Sequence, residues 1–342
     1  MSPKPQRSKR PSMKDVAELA GVSRTTVSFV LNNVPDSNIP PATQDRVWTA
    51  VEELGYRPNW MARGLRSQRT HTIGFISDVV ATTPHATHMI QGAQDLAWEH
   101  QTLLLLINIG DSQEMKMAAV NMMLDRQVEG IIYATMYHRE AHPPEIIKEV
   151  PTVMLDCYVK DHSLPSVVPD DVLGAYTAVS TLINKGHTRI GYLQNDGPVD
   201  AAKLRFKGYK RALAENDIPF DESLVTAVSD EHGYDGAMTL LRRPDRPSAL
   251  FIFNDRMAMG AYDAVRNLNL SIPTDIAIIG FDNQELIAPA LYPALTTMEL
   301  PHYKMGCWAV EQLLKLMENP DVRPQTAVQH KIECPLIERS SV

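Results

Sequence analysis

Asp15-Val16-Ala17-Glu18-Leu19-Ala20-Gly21-Val22-Ser23-Arg24-Thr25-Thr26-Val27-Ser28 reads as two short helices across a glycine turn. Val16, Leu19 and Ala20 fall at helical spacing. Ser12 followed by Asp15 is a capping-box pattern, which satisfies the N–H groups left free at a helix start. Gly21-Val22 stops this helix and Ser23 can cap the next, whose apolar line is Val27, Val30 and Leu31. Asn32, Asn33 and Pro35 end it. A third helix is expected from Pro41 to Leu54 through Val47 and Val51, with Gly55 as its stop. This is helix-turn-helix spacing. In such a unit the second helix lies in the major groove of DNA, its first residues reach base edges, and the first helix braces it on the backbone. Arg24 can donate a pair of hydrogen bonds to guanine, and Thr25 and Thr26 can meet a thymine methyl or a phosphate. A plain helical hairpin that binds nothing is the competing reading.

Charge weighs against the hairpin. Residues 1–70 hold 11 Lys or Arg against 6 Asp or Glu, a net of +5, whereas the rest of the chain carries −13. A basic head on an acidic body suits a polyanionic partner. Five of the basic residues lie at or beyond Arg46, outside the polar arm of residues 1–11. With 342 residues, 44% of them hydrophobic, the chain is long enough for about two or three domains with a buried core. No apolar run approaches the roughly 20 residues of a membrane span. The longest, Leu103–Ile109, has the length of an interior strand. No secretory signal is evident, so a cytoplasmic location is expected. Cys157, Cys307 and Cys334 are too few and too scattered for a disulfide framework or a zinc finger, and read as reduced thiols.

Beyond the three helices, residues 56–70 read as a basic linker with a weak helical turn or two. From Thr72 the rhythm changes. Ile73–Ile76, Leu103–Ile109, Gly130–Tyr133, Thr152–Leu155, Ile190–Leu193, Ala249–Phe253 and Ile276–Phe281 are apolar runs that alternate with helical stretches. That alternation argues for βαβ units and parallel sheets, in two lobes around a cleft. Several runs end in polar residues: Ser77-Asp78, Asp156, Asn254-Asp255 and Asp282-Asn283. Ligands bind at the carboxyl ends of strands in such sheets. Asp and Asn there, with the donor fork of Arg205, suit a neutral polyhydroxylated ligand better than a multiply phosphorylated one. Helix-cap or turn duty is the alternative for each acid.

The head, with Val30-Leu31-Asn32, Arg46-Val47, Leu54-Gly55-Tyr56, Pro58-Asn59, Ala62-Arg63 and Leu65, resembles the headpiece of the LacI/GalR family of bacterial transcriptional regulators. The body carries further resemblances: Gly186-His187, Arg205-Phe206-Lys207-Gly208-Tyr209, Asn254-Asp255, Gly280-Phe281-Asp282 and Leu295-Thr296-Thr297. The resemblance implies an all-α helix-turn-helix headpiece, residues 1–58, and a hinge helix or linker, 59–70. It implies an α/β two-lobed effector and dimerisation domain, 71–342, similar in fold to periplasmic binding proteins, with three crossovers. It implies DNA contacts from Ser23, Arg24, Thr25, Thr26 and Phe29, and from hinge residues Asn59, Arg63, Leu65 and Arg66. Leu65 would wedge a base step in the minor groove, kinking the duplex so that more protein reaches it. Phe29 stands where many members carry Arg, so one base contact is apolar or absent. Pro40-Pro41 replaces the usual Ser-Pro before the third helix, which removes a side-chain cap.

In the cleft the resemblance implies effector contacts from Asp156, Arg205, Asn254 and Asp282, with Asp78 and His85 in the segment after the first strand. There His85 stands in place of the family's aromatic. The implied function is a ligand-responsive repressor acting as a homodimer on a pseudopalindromic double-stranded operator. Its effector would be a small neutral metabolite such as a monosaccharide or polyol. The rival readings are a solute-binding protein without DNA function, or a regulator sensing a purine or a phosphorylated metabolite. No enzymatic activity, cofactor, metal or membrane partner is expected. His138-Arg139-Glu140-Ala141-His142 has the look of a zinc-protease motif, but its Glu is misplaced and Pro143-Pro144 ends any helix, so it reads as a solvated loop. G-x-G-x-x-G, P-loop and G-x-S-x-G patterns are absent.

Overall fold

A computed structural model describes residues 11–32, 34, 37–57, 69–110, 112–318 and 327–342. The chain divides into two compact units, Met1–Thr70 and His71–Val342. In the first, α1 (Met13–Ala20), α2 (Arg24–Leu31) and α3 (Pro41–Leu54) are set by local signals. The Asp15 carboxylate accepts from the Ser12 N–H at 2.6 Å and from its hydroxyl at 2.7 Å. Gly21 turns the chain at φ 63°, so that the Val22 N–H reaches the Ala17 carbonyl at 3.0 Å. Ser23 Oγ accepts from the Thr26 N–H at 3.0 Å and starts α2. Gly55, at φ 59°, ends α3. Val16, Ala17, Ala20, Val27, Val30, Val47, Ala50 and Tyr56 close the core.

Two expectations are corrected here. Leu19 is 50% exposed and Ala17 takes its place in the buried stripe. Tyr56, read as linker, is buried in this core.

The second unit holds two parallel sheets. β1 (Thr72–Ser77), α4 (Thr87–Glu99), β2 (Leu103–Asn108), α5 (Gln113–Asp125), β3 (Ile131–Glu140), β4 (Thr152–Tyr158) and β5 (Ser166–Pro169) begin the first lobe. The chain then builds the second lobe from α6 (Asp171–Asn184), β6 (Ile190–Asn195), α7 (Asp200–Glu215), β7 (Val225–Val228), α8 (Gly233–Leu241), β8 (Ala249–Ile252), α9 (Asp255–Asn267), β9 (Ala277–Asp282) and β10 (Thr296–Glu299). It returns to the first lobe for α10 (His302–Glu318) and β11 (Gln329–Ile332), and ends in the second with β12 (Leu336–Ile337). The strand orders are β11-β5-β4-β3-β1-β2 and β12-β10-β9-β8-β6-β7. Among the described strands the pairings are parallel except that of β10 with β12. The chain thus crosses between lobes three times, as the resemblance implied.

Central strands are buried on both faces, as a parallel sheet covered by helices requires. Ile131, Ile132, Tyr133 and Ala134 of β3 show this. β2 departs from the expected interior strand. It is an edge, with Leu103 54% and Leu106 42% exposed. α4 and α10 pack closely against each other. A Cβ at Gly92 would overlap the Tyr303 carbonyl, and one at Gly306 the Met89 carbonyl. Each glycine costs its helix about 1 kcal/mol and is required by that approach.

Candidate functional site

Acids and amides at strand ends of both lobes face a common cleft. Asp156 near the end of β4 has φ 56°, and Asp282 at the end of β9 has φ 105°. Such conformations cost a non-glycine residue on the order of 1 kcal/mol or more and cluster at ligand sites. Two cavities share His85, Met136, Tyr137 and Asp282. The inner, of about 20 Å³, has room for a water and is lined also by His138, Asp156, Arg205 and Phe253. The outer, of about 460 Å³, is the size of a small-molecule site and adds Asp230, Asn254, Arg256 and Gln284.

Arg205 stands on α7, fully enclosed. Its Nε donates to Asp171 Oδ1 at 2.9 Å. One terminal nitrogen donates to the Phe253 carbonyl at 2.5 Å and to Asp282 Oδ1 at 3.3 Å. The guanidinium carbon lies 3.6 Å from the centre of the Phe281 ring. The other oxygen of Asp171 meets His138 Nδ1 at 2.9 Å. His138, Asp171, Arg205 and Asp282 thus form one buried chain running from β3 of the first lobe to β9 of the second. Burial alone would raise the Asp171 pKa; Arg205 and His138 outweigh it and hold it below the ordinary value. Burial raises that of Asp282, against the opposing pull of Arg205.

Asp156 is different. It is 3% exposed, and its Oδ1 has no hydrogen-bond partner among the described residues. Burial, reinforced by the Asp171 carboxylate, pushes its pKa well above the carboxylate range. Asn254 caps α9 by accepting from the Met257 N–H at 2.8 Å, and its amide donates to Asp230 at 3.1 Å. Cap duty and cleft position are therefore combined in one residue. Asp230 also accepts from the Asn195 amide at 2.6 Å and the Tyr137 hydroxyl at 3.4 Å.

Asp78 lines neither cavity. Its carboxylate is taken up by Arg139 at 2.6 Å and by the N–H groups of Val79 and Met136. His85 does face both cavities, with its ring stacked on His302 at 5.8 Å. Burial lowers the pKa of His85 and takes that of His302 down to about 3. The stretch His138–Ala141 is no solvated loop. His138, Arg139 and Glu140 continue β3, and His138 is buried against Asp171. Among the described residues no cluster could hold a metal. Sequence reasoning missed Tyr137, His138, Asp171 and Asp230, whose partners are distant in the chain.

Behind the cleft, Asp255 Oδ1 accepts from the Thr297 hydroxyl at 2.6 Å and Oδ2 from the Gln284 N–H at 2.7 Å. Burial, with Asp282 adding to it, raises the Asp255 pKa to about 8. A carboxyl with a raised folded pKa contributes most below its unfolded value of about 3.9, and loses that contribution as pH rises towards 8. Asp255→Asn resembles the protonated form and is expected to abolish this slope. Urea unfolding of both proteins should show the variant gaining on the order of 1 kcal/mol relative to wild type for each pH unit across that range. An offset that does not change with pH would disprove the titration.

On the headpiece, Ser23, Arg24, Thr25 and Phe29 are exposed along α2, while Val27 and Val30 face inward. Thr26 is half-buried, its hydroxyl 2.9 Å from that of Ser23. Asn59, Arg63, Leu65 and Arg66 lie outside the described residues.

A three-helix unit with an outward-facing second helix, joined to a two-lobed α/β unit with a polar cleft, defines a ligand-responsive DNA-binding regulator. Residues 12–59 match the sequence model for bacterial regulatory proteins of the lacI family, and residues 179–342 that for a periplasmic binding protein-like domain. The chain is 36% identical to catabolite control protein A of Priestia megaterium, covering 93% of this chain and 96% of that protein. It is likewise 36% identical to the ribose operon repressor of Escherichia coli K12, over 92% and 95% of the two chains. The solved Lac repressor dimer bound to operator and the anti-inducer ONPF is similar at a TM-score of 0.81, with 25% identity over 97% of this chain and 99% of that one. The chain belongs to the lacI family of bacterial regulatory proteins, and it is a ligand-responsive DNA-binding transcriptional regulator. No helix among the described residues is long and apolar enough to cross a membrane.

Proposed function

We propose that two copies of this chain bind a pseudopalindromic operator through α2, with Arg24 and Thr25 on base edges or phosphates, Ser23 and Thr26 fixing the helix start, and Phe29 making an apolar contact. The effector is a hydroxylated metabolite of monosaccharide or polyol size, held between the lobes by Asp156, Arg205, Asn254 and Asp282, with His85 over it. The observation that carries the effector reading is the orphaned Asp156 carboxyl, buried in the cleft wall beside Arg205 and Asp282. Hydroxyl groups of a ligand supply the donors it lacks. A doubly charged phosphate meets four carboxyl groups along the two cavities, which disfavours it.

A ligand that prefers one arrangement of the lobes shifts the population that binds DNA. The test selects operator fragments from random duplex DNA with the full chain, then titrates the complex with sugars, polyols and purines. A two-fold symmetric consensus is expected, together with a hydroxylated ligand that changes operator affinity at least fivefold in wild type and not in Asp156→Ala. An asymmetric consensus, or an unchanged response in the variant, would overturn the corresponding half of the reading.

A further inference from the structure

Acidic groups outnumber guanidinium groups along the cleft. Four carboxyl groups, Asp156, Asp230, Asp282 and Glu285, line the two cavities, against two guanidinium groups, Arg205 and Arg256. Both guanidinium groups are also engaged by acids outside the lining. Arg205 meets Asp171 at 2.9 Å and Arg256 meets Glu231 at 3.6 Å. Glu285, in the outer lining, meets His88 at 3.5 Å. Asp230 is held by neutral donors, those of Asn195, Asn254 and Tyr137. Asp156 has none at its enclosed oxygen among the described residues. Asp78, beneath the cleft, is already matched by Arg139. His85, the one basic ring shared by both cavities, is disfavoured as a cation by its burial. Along the two cavities carboxyl groups therefore outnumber guanidinium groups, and one enclosed acceptor in the wall, Asp156 Oδ1, has no partner among the described residues.

We propose that the effector carries a positively charged amino group on a hydroxylated carbon frame, an amino sugar or amino polyol, seated at Asp282, which both cavities share, with Asp156 on the inner side and Asp230 on the outer. This rests on the cleft being the effector site and refines the expected neutral ligand by one group. An ammonium supplies donors to several carboxylate oxygens at once and the missing positive charge, whereas a hydroxyl at the same place supplies one donor and no charge. Burial has raised the pKa values of Asp156 and Asp282, so an arriving cation ionises them and expels protons. Arg205, Asp171, Asp78, His85 and Asp230 face these two acids and set where that proton loss falls.

The test compares matched pairs that differ by one amine, using thermal unfolding of the full chain at equal ligand concentration. The pairs are Tris with pentaerythritol, and glucosamine, galactosamine and mannosamine with glucose, galactose and mannose. N-acetylglucosamine serves as the discharged control. At least one amine is expected to raise the melting temperature well beyond its hydroxyl partner. Acetylation should abolish the effect if glucosamine is the binder. The affinity should strengthen about tenfold or more as pH rises through the range where the acids ionise, and weaken about tenfold or more in Asp156→Asn. Asp156→Asn mimics the protonated acid at nearly the same volume, and its melting temperature without ligand shows whether the fold is kept. Hydroxyl members that stabilise as well as their amines, or a panel in which no amine acts, would overturn the amine and leave the cleft assignment standing. An amine that binds Asp156→Asn and Asp282→Asn as tightly as wild type would place the ligand elsewhere and overturn the cleft assignment as well.

Discussion

Arg205→Met is expected to destabilise the His71–Val342 unit by about 3–5 kcal/mol, the range for removing one partner from a buried ion network. Methionine fills much of the volume, so the loss is electrostatic rather than a cavity. The guanidinium now joins Asp171, the Phe253 carbonyl and Asp282, and Asp171 is fully buried. Without it, Asp171 is left with His138, Asp282 with the Gln284 amide, and the Phe253 carbonyl loses this donor. Asp171, held below its ordinary pKa largely by Arg205, would instead be pushed upward by its burial. In wild type a depressed pKa contributes stability above the unfolded value of about 3.9, and that contribution fades as pH falls through the folded one. The gap between variant and wild type should therefore narrow below about pH 5. Thermal unfolding checks both points, since a loss of this size moves the midpoint of a unit this large by roughly 6–15 °C. Adding Asp171→Asn to the variant should recover part of the loss, because it removes an unpaired charge. A change below about 1 kcal/mol would mean that the network does not hold the lobe together.

The second large effect concerns DNA. On the proposed assignment, Arg24→Ala removes one base contact from each half of a symmetric site. A bidentate Arg–guanine pair discriminates by about 1–3 kcal/mol, so a dimer loses about 2–6 kcal/mol, or between about thirtyfold and twenty-thousandfold in affinity. The loss should fall on one base position per half-site, where the variant tolerates any base. An Arg24 that touches only phosphate would instead weaken all sequences alike and reduce the salt dependence of binding. Titrating wild type and variant against the selected operator and its single-base changes, at two salt concentrations, separates these outcomes. Arg24 is well placed for either, since it begins α2 on the exposed face while Ser23 and Thr26 hold the helix start.

The headpiece was legible because its determinants are local. Ser12 with Asp15, Gly21, Ser23 and Gly55 each act within a few residues, and each appears in the structure in its expected role. Leu19 was misread because an eight-residue helix buries only a narrow stripe, and periodicity alone does not say which side of Ala20 that stripe lies on. In the body, long apolar runs announced β1, β4, β6, β8 and β9. β5, β7, β10, β11 and β12 are short and lack the unbroken apolar run that marked β8 at the same length as most of them. The cleft was half legible. Asp156, Asn254 and Asp282 stand at strand ends, where a parallel sheet brings ligand groups together. Asp171, His138 and Asp230 find partners tens of residues away, and nothing in their own neighbourhood marks that. His138 was hidden further by the shift in register within β3 between Ala134 and Arg139, which carries the strand on into residues that read as a loop.

The threefold crossing of the chain has a consequence during synthesis. The headpiece core is closed by Tyr56, so its helices are complete soon after they leave the ribosome. The first lobe begins next but waits for α10 and β11, which follow the whole body of the second. Until then β5 is an open edge, and α4 lacks the helix that Gly92 was shaped to receive. For part of its birth, every molecule is a closed headpiece tethered to an unfinished sensor. A transcript cut short before β11 would fix that stage, and its product would carry the DNA-reading helices with no complete cleft to govern them.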